Sequence, residues 1–310
     1  MPAEVGGNAH IVLAGPARER IDQLVARVLE VSRATAQRAI AAGRVTVDGE
    51  LPVKSLIPEP GAFVRIEPFE VAAEPDADMP VPTVQVLYAD PHLAVIVKPV
   101  GLPVHVGAGG RQRPTLVDAL KRQFPALGAL QLPAPHRPGV VHRLDVDTSG
   151  IMVVGLDAST VRALVGLFRS RRVTKLYLAL VHGHPSVERA IIDAPIGRDP
   201  NSRTRMAVIR EGGREAQTAM RVCEHLRNTS LIEAKLLTGR THQIRVHLAS
   251  IGHAVVGDRT YGPRRPMPGV QRQMLHAWKL EFKHPVTGEM LVFEAPPPAD
   301  FVEVLARLRT

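Results

Sequence analysis

Apolar residues first recur at helical spacing in "RIDQLVARVLEV", residues 20–31, where Ile21, Leu24, Val25 and Val28 share a face. The spacing predicts a helix. Ser32 then stands as an N-cap for a second short helix, "RATAQRAIAA", with Gly43 as its stop. Beyond it the period changes to two. Val45 and Val47 alternate with polar residues before Asp48-Gly49, which predicts a strand entering a tight turn. "AFVRIEP" predicts another short strand. These elements make a compact α/β module of two helices and a few strands over residues 18–68. Periodicity then disappears. Pro, Ala and acidic residues dominate "EPFEVAAEPDADMPVP", residues 67–82, a linker composition, and the linker is placed at 69–82.

From residue 83 to 310 the pattern predicts a second, larger domain in which strands mix with helices. "TVQVLYADPHLAVIVKP" reads as two strands around an Asp90-Pro91 turn. "TLVDALKRQF" reads as a helix with Thr115 and Asp118 in capping-box positions. "GIMVVGL" predicts a buried strand and "ASTVRALVGLFRS" an amphipathic helix. "TKLYLALVHG" alternates, "LIEAKLL" is a strand, and "THQIRVHLASIG" is a helix capped by Thr241 and ended by Gly252. Strands and helices do not alternate regularly, so the class expected is mixed α+β rather than doubly wound. No internal repeat is present.

Composition changes this picture in one respect. The chain of 310 residues is 45% hydrophobic and 22% charged, as globular proteins are. No apolar run approaches the ~20 residues of a membrane span. The N-terminus lacks a signal-peptide pattern, and Cys223 is the only cysteine, so a cytoplasmic protein without disulfides is expected. The charge is less ordinary: net +9, with a pI near 10.3. Residues 1–70 carry 8 Lys/Arg against 9 Asp/Glu, whereas residues 71–310 carry 31 against 21. A positive excess on the larger domain favours an anionic partner, most simply nucleic acid.

Three stretches carry candidate chemistry. "VVHRLDVDTSG", residues 140–150, sets Asp145 in a polar turn between apolar segments, two residues after Arg143. An isolated Arg-x-Asp more often caps a surface turn than serves an active site. In "TKLYLALVHG", Leu176, Leu178 and Leu180 form the apolar face, and Lys175, Tyr177 and Ala179 the other. Tyr177 is then placed to stack or to use its hydroxyl. In "LTGRTHQIRVHLASIGHAVVGD", residues 237–258, Arg245 falls about 100° from Ile244, at the core boundary. A partly buried Arg there needs an anion, best a bidentate carboxylate. His242 and His247 turn about 140° apart on a helix, unlike zinc ligands at i and i+4, so no metal site is expected. There is no dinucleotide fingerprint and no P-loop. "GAGG" at 107–110 reads as a flexible loop. Basic runs flank these stretches: Arg169, Arg171, Arg172 and Lys175; Arg198, Arg203, Arg205, Arg210 and Arg214; Arg264 and Arg265. Around one cleft, such runs favour phosphate contacts.

The first module, through "RIDQLVARVLEVSRATAQRAIAAGRVTVDGE", resembles the alpha-L RNA-binding motif of a ribosomal small-subunit protein. Its helical pair is basic, with Arg33 and Arg38 as expected RNA contacts. The segments "GVVHRLDVDTSGIMVVG", "KLYLALVHG" and "TGRTHQIRVHLASIGHAVVGDRTYG", with the "GLPVHVGAG" loop, resemble in order the signatures of the RluA/RluD family of RNA pseudouridine synthases, and the layout is most similar to the RluD-like branch. Ile21 for Leu and "TSG" for "TTG" are departures that touch no reacting group.

The resemblance implies an α+β catalytic domain with a mixed, mainly antiparallel sheet and a central cleft. It implies isomerisation of uridine to pseudouridine in structured RNA, with large-subunit ribosomal RNA as partner, no cofactor, no metal and no membrane. A monomer is the expected state. By the same resemblance Asp145 is the catalytic carboxylate, Arg245 its basic partner, and Tyr177 the residue that stacks on uracil and helps remove the proton at carbon five. Arg143 fills the gap left by the flipped nucleotide. A carboxylate at an anomeric centre is chemically sensible, as in glycosidases. Attack on the sugar, attack on the ring and abstraction of a sugar proton all remain open. Arg171, Arg172, Lys175, Arg203 and Arg205 are further expected RNA contacts. The charge also suits a non-catalytic RNA-binding or ribosome-assembly protein, and the family includes enzymes for transfer RNA. Only the set Asp145, Tyr177 and Arg245 separates enzyme from binder.

Overall fold

The computed structural model describes residues 3–5, 9–15, 18–29, 31, 33–71, 80–105, 113–130, 137–202 and 205–310. The chain divides into two compact units, Met1–Pro80 with Val106–Arg113, and Val81–His105 with Pro114–Thr310. No helix among the described residues is long and apolar enough to cross a membrane.

The first unit contains β1 (Ala3–Val5), β2 (His10–Leu13), α1 (Ile21–Val28), α2 (Arg33–Ala41), β3 (Val45–Val47), β4 (Phe63–Ile66) and β5 (Phe69–Val71). Strands β2, β4 and β3 form an antiparallel sheet. Val64 and Ile66 point inward from β4 while Phe63 and Arg65 point out. The inward pair meets Val45 and Val47, and Ile21, Leu24, Val25, Ala36, Ala39 and Ile40 from the two helices complete the core. Asp22 is wholly buried at the start of α1. It accepts hydrogen bonds from Arg33 Nε at 2.9 Å and Gln37 Nε2 at 2.6 Å, tying α1 to α2. Burial opposes its charge, but Arg33 and Gln37 overcome that, and the carboxyl sits below the usual range. The helix stop at Gly43 is found, with φ 72. The cap expected at Ser32 lies outside the described residues. Phe69–Val71, whose composition read as the beginning of a linker, instead pairs with Ala3–Val5. Composition registers flexibility, not the edge that an N-terminal strand offers.

The second unit contains β6 (Gln85–Ala89), β7 (Leu93–Lys98), α3 (Leu116–Gln123), β8 (Ser149–Gly155), α4 (Ala158–Arg169), β9 (Thr174–His182), β10 (Arg189–Asp193), β11 (Ile196–Arg198), β12 (Met206–Val208), β13 (Gln217–Leu226), β14 (Thr229–Leu236), α5 (Gln243–Ser250), β15 (Leu275–Lys283), β16 (Met290–Glu294) and α6 (Ala299–Arg309). Nine strands make one sheet in the order β10-β13-β14-β9-β15-β8-β7-β6, with β16 beside β15. Every pair is antiparallel except β15 with β8. The fold is the mixed, mainly antiparallel α+β arrangement expected. Both faces are covered. Leu116 and Leu120 of α3 and Ile244 and Leu248 of α5 pack on one face. On the other, Leu164 and Leu167 of α4 pack in one cluster, and Phe301, Val304 and Leu308 of α6 in another. This double cover explains why β8 carries the unbroken apolar run "IMVV" and is buried at every position.

It also corrects the face assigned to Tyr177. Tyr177, Ala179 and Val181 are the buried set of β9 in the main core, and Leu176 and Leu178 are only partly buried. Alternation distinguishes core from solvent only where one face is wet. Gly150 permits the single parallel contact. It lies opposite Ala277 with φ 124, and a Cβ there would fall onto the Ala277 backbone.

Candidate active site

Residues 140–148 lead into β8 and present Asp145. His142 turns inward: its Nε2 accepts the Val153 N–H at 3.0 Å and its ring stacks on Phe168 at 4.6 Å. Burial, aided by nearby Lys175, pulls this imidazole down to about 3, so it is a neutral strut. Leu144 is buried in the same core as Tyr177 and Ile244. That shared core is what gathers three distant segments. Arg143, between the two anchors, is exposed. It makes no ion pair with Asp145 among the described residues, so the proximity of the two in sequence is not a salt bridge. The Asp145 carbonyl accepts the Thr148 N–H at 3.1 Å, closing the turn.

Lys98, at the end of β7, secures this turn from below. It is wholly buried, and its Nζ donates to the carbonyls of Pro99, Leu102 and Val146 at 2.8, 3.0 and 2.9 Å. Burial pulls its pKa down to about 7, against the upward pull of Asp147 and Asp145. Three carbonyl acceptors match the three N–H groups of the ammonium form. Lys98→Met is expected to cost about 2–3 kcal/mol, because the carbonyls lose their donor. A fall in the urea midpoint at unchanged m-value measures it, and an unchanged midpoint would show that the turn holds itself.

Arg245 is buried on α5. Its Nε and Nη2 donate to Asp258 at 2.6 and 2.9 Å, and its Nη1 donates to Asp145 Oδ2 at 2.9 Å. The bidentate carboxylate that a buried Arg demands is therefore Asp258, and Asp145 is held through one oxygen. Burial opposes the Arg245 charge, but the two carboxylates outweigh it and raise its pKa. Asp258 also accepts the backbone N–H groups of Thr260 and Tyr261 at 2.8 and 3.0 Å. Gly257 before it has φ 77 and lies so close to the Arg272 carbonyl that a Cβ would collide. Among the described residues Asp145 Oδ1 accepts no hydrogen bond, and it faces His242 Nε2 at 3.9 Å. Tyr177 is buried close enough for the Asp145 charge to act on it. Burial first, and that charge second, raise the pKa of its phenol.

The cap expected at Thr241 is not formed. His242 is the N-cap residue of α5, left-handed at φ 57, with no side-chain cap bond. Gln243 stabilises the turn instead, its Oε1 accepting from Arg240 N–H at 2.9 Å and Thr238 Oγ1 at 2.8 Å.

The expected RNA contacts are scattered. Arg33 is committed to Asp22. Arg38 is exposed and donates to Thr35 Oγ1 at 3.2 Å. Arg171 pairs with Glu215 at 2.8 Å, and Arg172 donates to Ser170 Oγ at 3.0 Å. Lys175 lies 5.7 Å from the Phe168 ring centroid, and burial pulls it down to about 8. Arg205 lies 5.4 Å from the Tyr261 ring centroid. Arg203 and the "GAGG" loop lie outside the described residues. Among the described residues no group of three or more His, Cys, Asp and Glu is placed to hold a metal ion. His247 spends Nδ1 on Thr218 and Nε2 on the Ala194 carbonyl. Sequence reasoning missed Asp258, Lys98 and Tyr261 as parts of the site. Asp258 could have been found as the nearest carboxylate after Gly257 for a buried Arg to grip.

A carboxylate anchored through one oxygen, with the other open, can act as nucleophile or base. Residues 92–250 match the family described as RNA pseudouridylate synthase. The chain belongs to that family. The synthase carries an S4 domain match at residues 19–51. It is 44% identical to an uncharacterized RNA pseudouridine synthase of Chloroflexus aurantiacus, covering 94% of this chain and 90% of that protein. It is 40% identical to the ribosomal large subunit pseudouridine synthase D of Nitrosomonas europaea, covering 94% of this chain and 84% of that protein. Among solved structures, human RNA pseudouridylate synthase domain containing 4 superposes with a TM-score of 0.58 at 28% identity, covering 73% of this chain and 93% of that one. The synthase is thus an isomerase that makes pseudouridine in RNA.

Proposed function

We propose that the synthase isomerises uridine in large-subunit ribosomal RNA, with Asp145 as the catalytic carboxylate. The observation that carries the assignment of Asp145 is its geometry: Arg245 holds Oδ2 and makes no bond to Oδ1, and the carboxylate lies close enough for its charge to act on the buried Tyr177. In the reaction the bond from the anomeric carbon to the ring nitrogen breaks and a bond to carbon five forms. Carbon five loses a proton to solvent and the nitrogen gains one. Asp145 supplies the electron pair or takes the sugar proton. Arg143, exposed at the turn, occupies the space vacated when the uridine leaves its stack. Tyr177 stacks on the uracil. Burial first, and the Asp145 charge second, raise the pKa of its phenol, so it stays protonated in the resting enzyme. Residues 18–68 form an RNA-binding domain that docks the substrate, supported by the S4 match and by the basic helical pair.

The choice of RNA rests on relatives named as large-subunit synthases, the Nitrosomonas europaea protein among them. Pseudouridine mapping in cells lacking the protein tests it. One or more large-subunit positions are expected to revert to uridine and to return on complementation. Loss confined to transfer RNA would overturn the target.

A further inference from the structure

Two further side chains, His242 and Tyr261, stand beside Asp145. His242 Nε2 faces Asp145 Oδ1, and His242 Nδ1 lies 2.8 Å from the Tyr261 hydroxyl. His242 is held at φ 57, a left-handed conformation that is unfavourable for a residue other than glycine. Something must hold the residue there, and Tyr261 is well placed to do so. Its backbone N–H binds Asp258 at 3.0 Å, and its ring lies 5.0 Å from the Arg245 guanidinium carbon. Its hydroxyl accepts the Met206 N–H at 2.9 Å.

That last bond favours one protonation pattern. A phenol oxygen that accepts from Met206 still has its own proton to donate, and His242 Nδ1 is the acceptor within reach. Burial keeps the imidazole neutral, against the opposing pull of Asp145. With Nδ1 used as acceptor, the single ring proton sits on Nε2, the nitrogen that faces the carboxylate.

We propose that His242 is a positioning residue for Asp145: Tyr261 fixes its tautomer so that Nε2–H is presented to the one oxygen that Arg245 leaves free. The gap of 3.9 Å closes to hydrogen-bond length when uridine enters, as bonds that are long in free enzymes tighten in their complexes. Asp145 is then oriented at both oxygens, by a cation on one and a neutral donor on the other. The inference rests on Asp145 being the catalytic carboxylate.

The test uses the full chain and a ribosomal RNA fragment carrying uridine tritiated at carbon five. The variants are His242→Asn, Tyr261→Phe, the double variant and Asp145→Asn. Asn tolerates the left-handed backbone, so His242→Asn removes the ring and keeps the turn. The kcat of His242→Asn is expected to fall ~10²-fold, the scale of an ångström's misplacement, with KM for RNA and Tm nearly unchanged. Tyr261→Phe keeps the ring against Arg245 and is expected to lower kcat less. The double variant should be no worse than His242→Asn alone, because Tyr261 acts through His242. Nitrogen NMR of histidine-labelled protein is expected to show the Nε2–H tautomer at His242, with the Nδ1–H form appearing in Tyr261→Phe. Wild-type kcat in His242→Asn, or an Nδ1–H tautomer in the unmodified enzyme, would overturn the proposal. Asp145→Asn separates the two levels. If it releases tritium normally, the catalytic assignment falls and this inference with it. If it is inactive while His242→Asn is fully active, only the positioning role falls.

Discussion

Asp145→Asn is expected to lower tritium release from uridine labelled at carbon five by ~10⁴-fold or more, the scale seen when a reacting group is removed. RNA affinity and Tm should stay close to wild type. The substitution is isosteric, and the amide oxygen can still accept from Arg245 Nη1, which now lies 2.9 Å from Oδ2. Arg245 is not left as an uncompensated buried charge, because Asp258 retains its two bonds to the guanidinium. The turn itself is held by the Thr148 N–H and by Lys98, neither of which touches the Asp145 side chain. Activity has no such reserve. Attack on the sugar, attack on the ring and abstraction of a sugar proton all need an available carboxylate lone pair, and an amide supplies none of useful basicity. Release at the wild-type rate would remove Asp145 from the mechanism. A parallel loss of Tm would mean that the variant reports folding rather than chemistry.

What could be read in the sequence depended on whether the deciding contact was local. The helix at 116–123 was legible because its cap is local: Thr115 Oγ1 accepts from Asp118 N–H at 3.3 Å, and Asp118 accepts from Thr115 N–H at 2.8 Å. The helices at 21–28 and 158–169 were legible from apolar spacing alone. The face of Tyr177 was not, because both faces of β9 are covered by helices from elsewhere in the chain. The start of α5 was misread because Gln243, rather than Thr241, closes the preceding turn, and it does so through Thr238 and Arg240. Asp145 and Arg245 were recognisable through their motifs, but the motif gave no hint that Arg245 spends two of its three donating nitrogens on Asp258. Lys98 was hidden for the same reason. A lysine ending a strand reads as solvated, and only the fold reveals three carbonyls converging on it.

Asp258→Asn is expected to destabilise the protein by about 3–5 kcal/mol at neutral pH, the range for removing one partner of a buried ion pair. Arg245 and Asp258 are both buried, so water cannot replace the lost carboxylate. The remaining partner, Asp145, is 18% exposed and holds Arg245 by a single bond. The dependence on pH separates the charge of Asp258 from its packing. Burial of Asp258 opposes its charge, but the Arg245 hydrogen bonds and charge and the N–H groups of Tyr261 and Thr260 prevail, and its pKa is lowered. A carboxyl depressed in the folded state contributes its full stabilisation above the unfolded value of about 3.9. That contribution is lost as pH falls through the lower, folded value. The difference between wild type and Asp258→Asn in urea unfolding should therefore be constant above about pH 5 and shrink in more acid solution. Glu215→Gln supplies the contrast, since Glu215 and its partner Arg171 are both exposed and solvent can replace either; its effect should be near zero throughout. A difference for Asp258→Asn that does not change with pH would mean that packing, not the charge gripped by Arg245, is what Asp258 contributes. Because Arg245 also holds Asp145, the same variant should lower kcat while Tm is still well above the assay temperature, and full activity would show that Asp145 keeps its place without the buried anchor behind it.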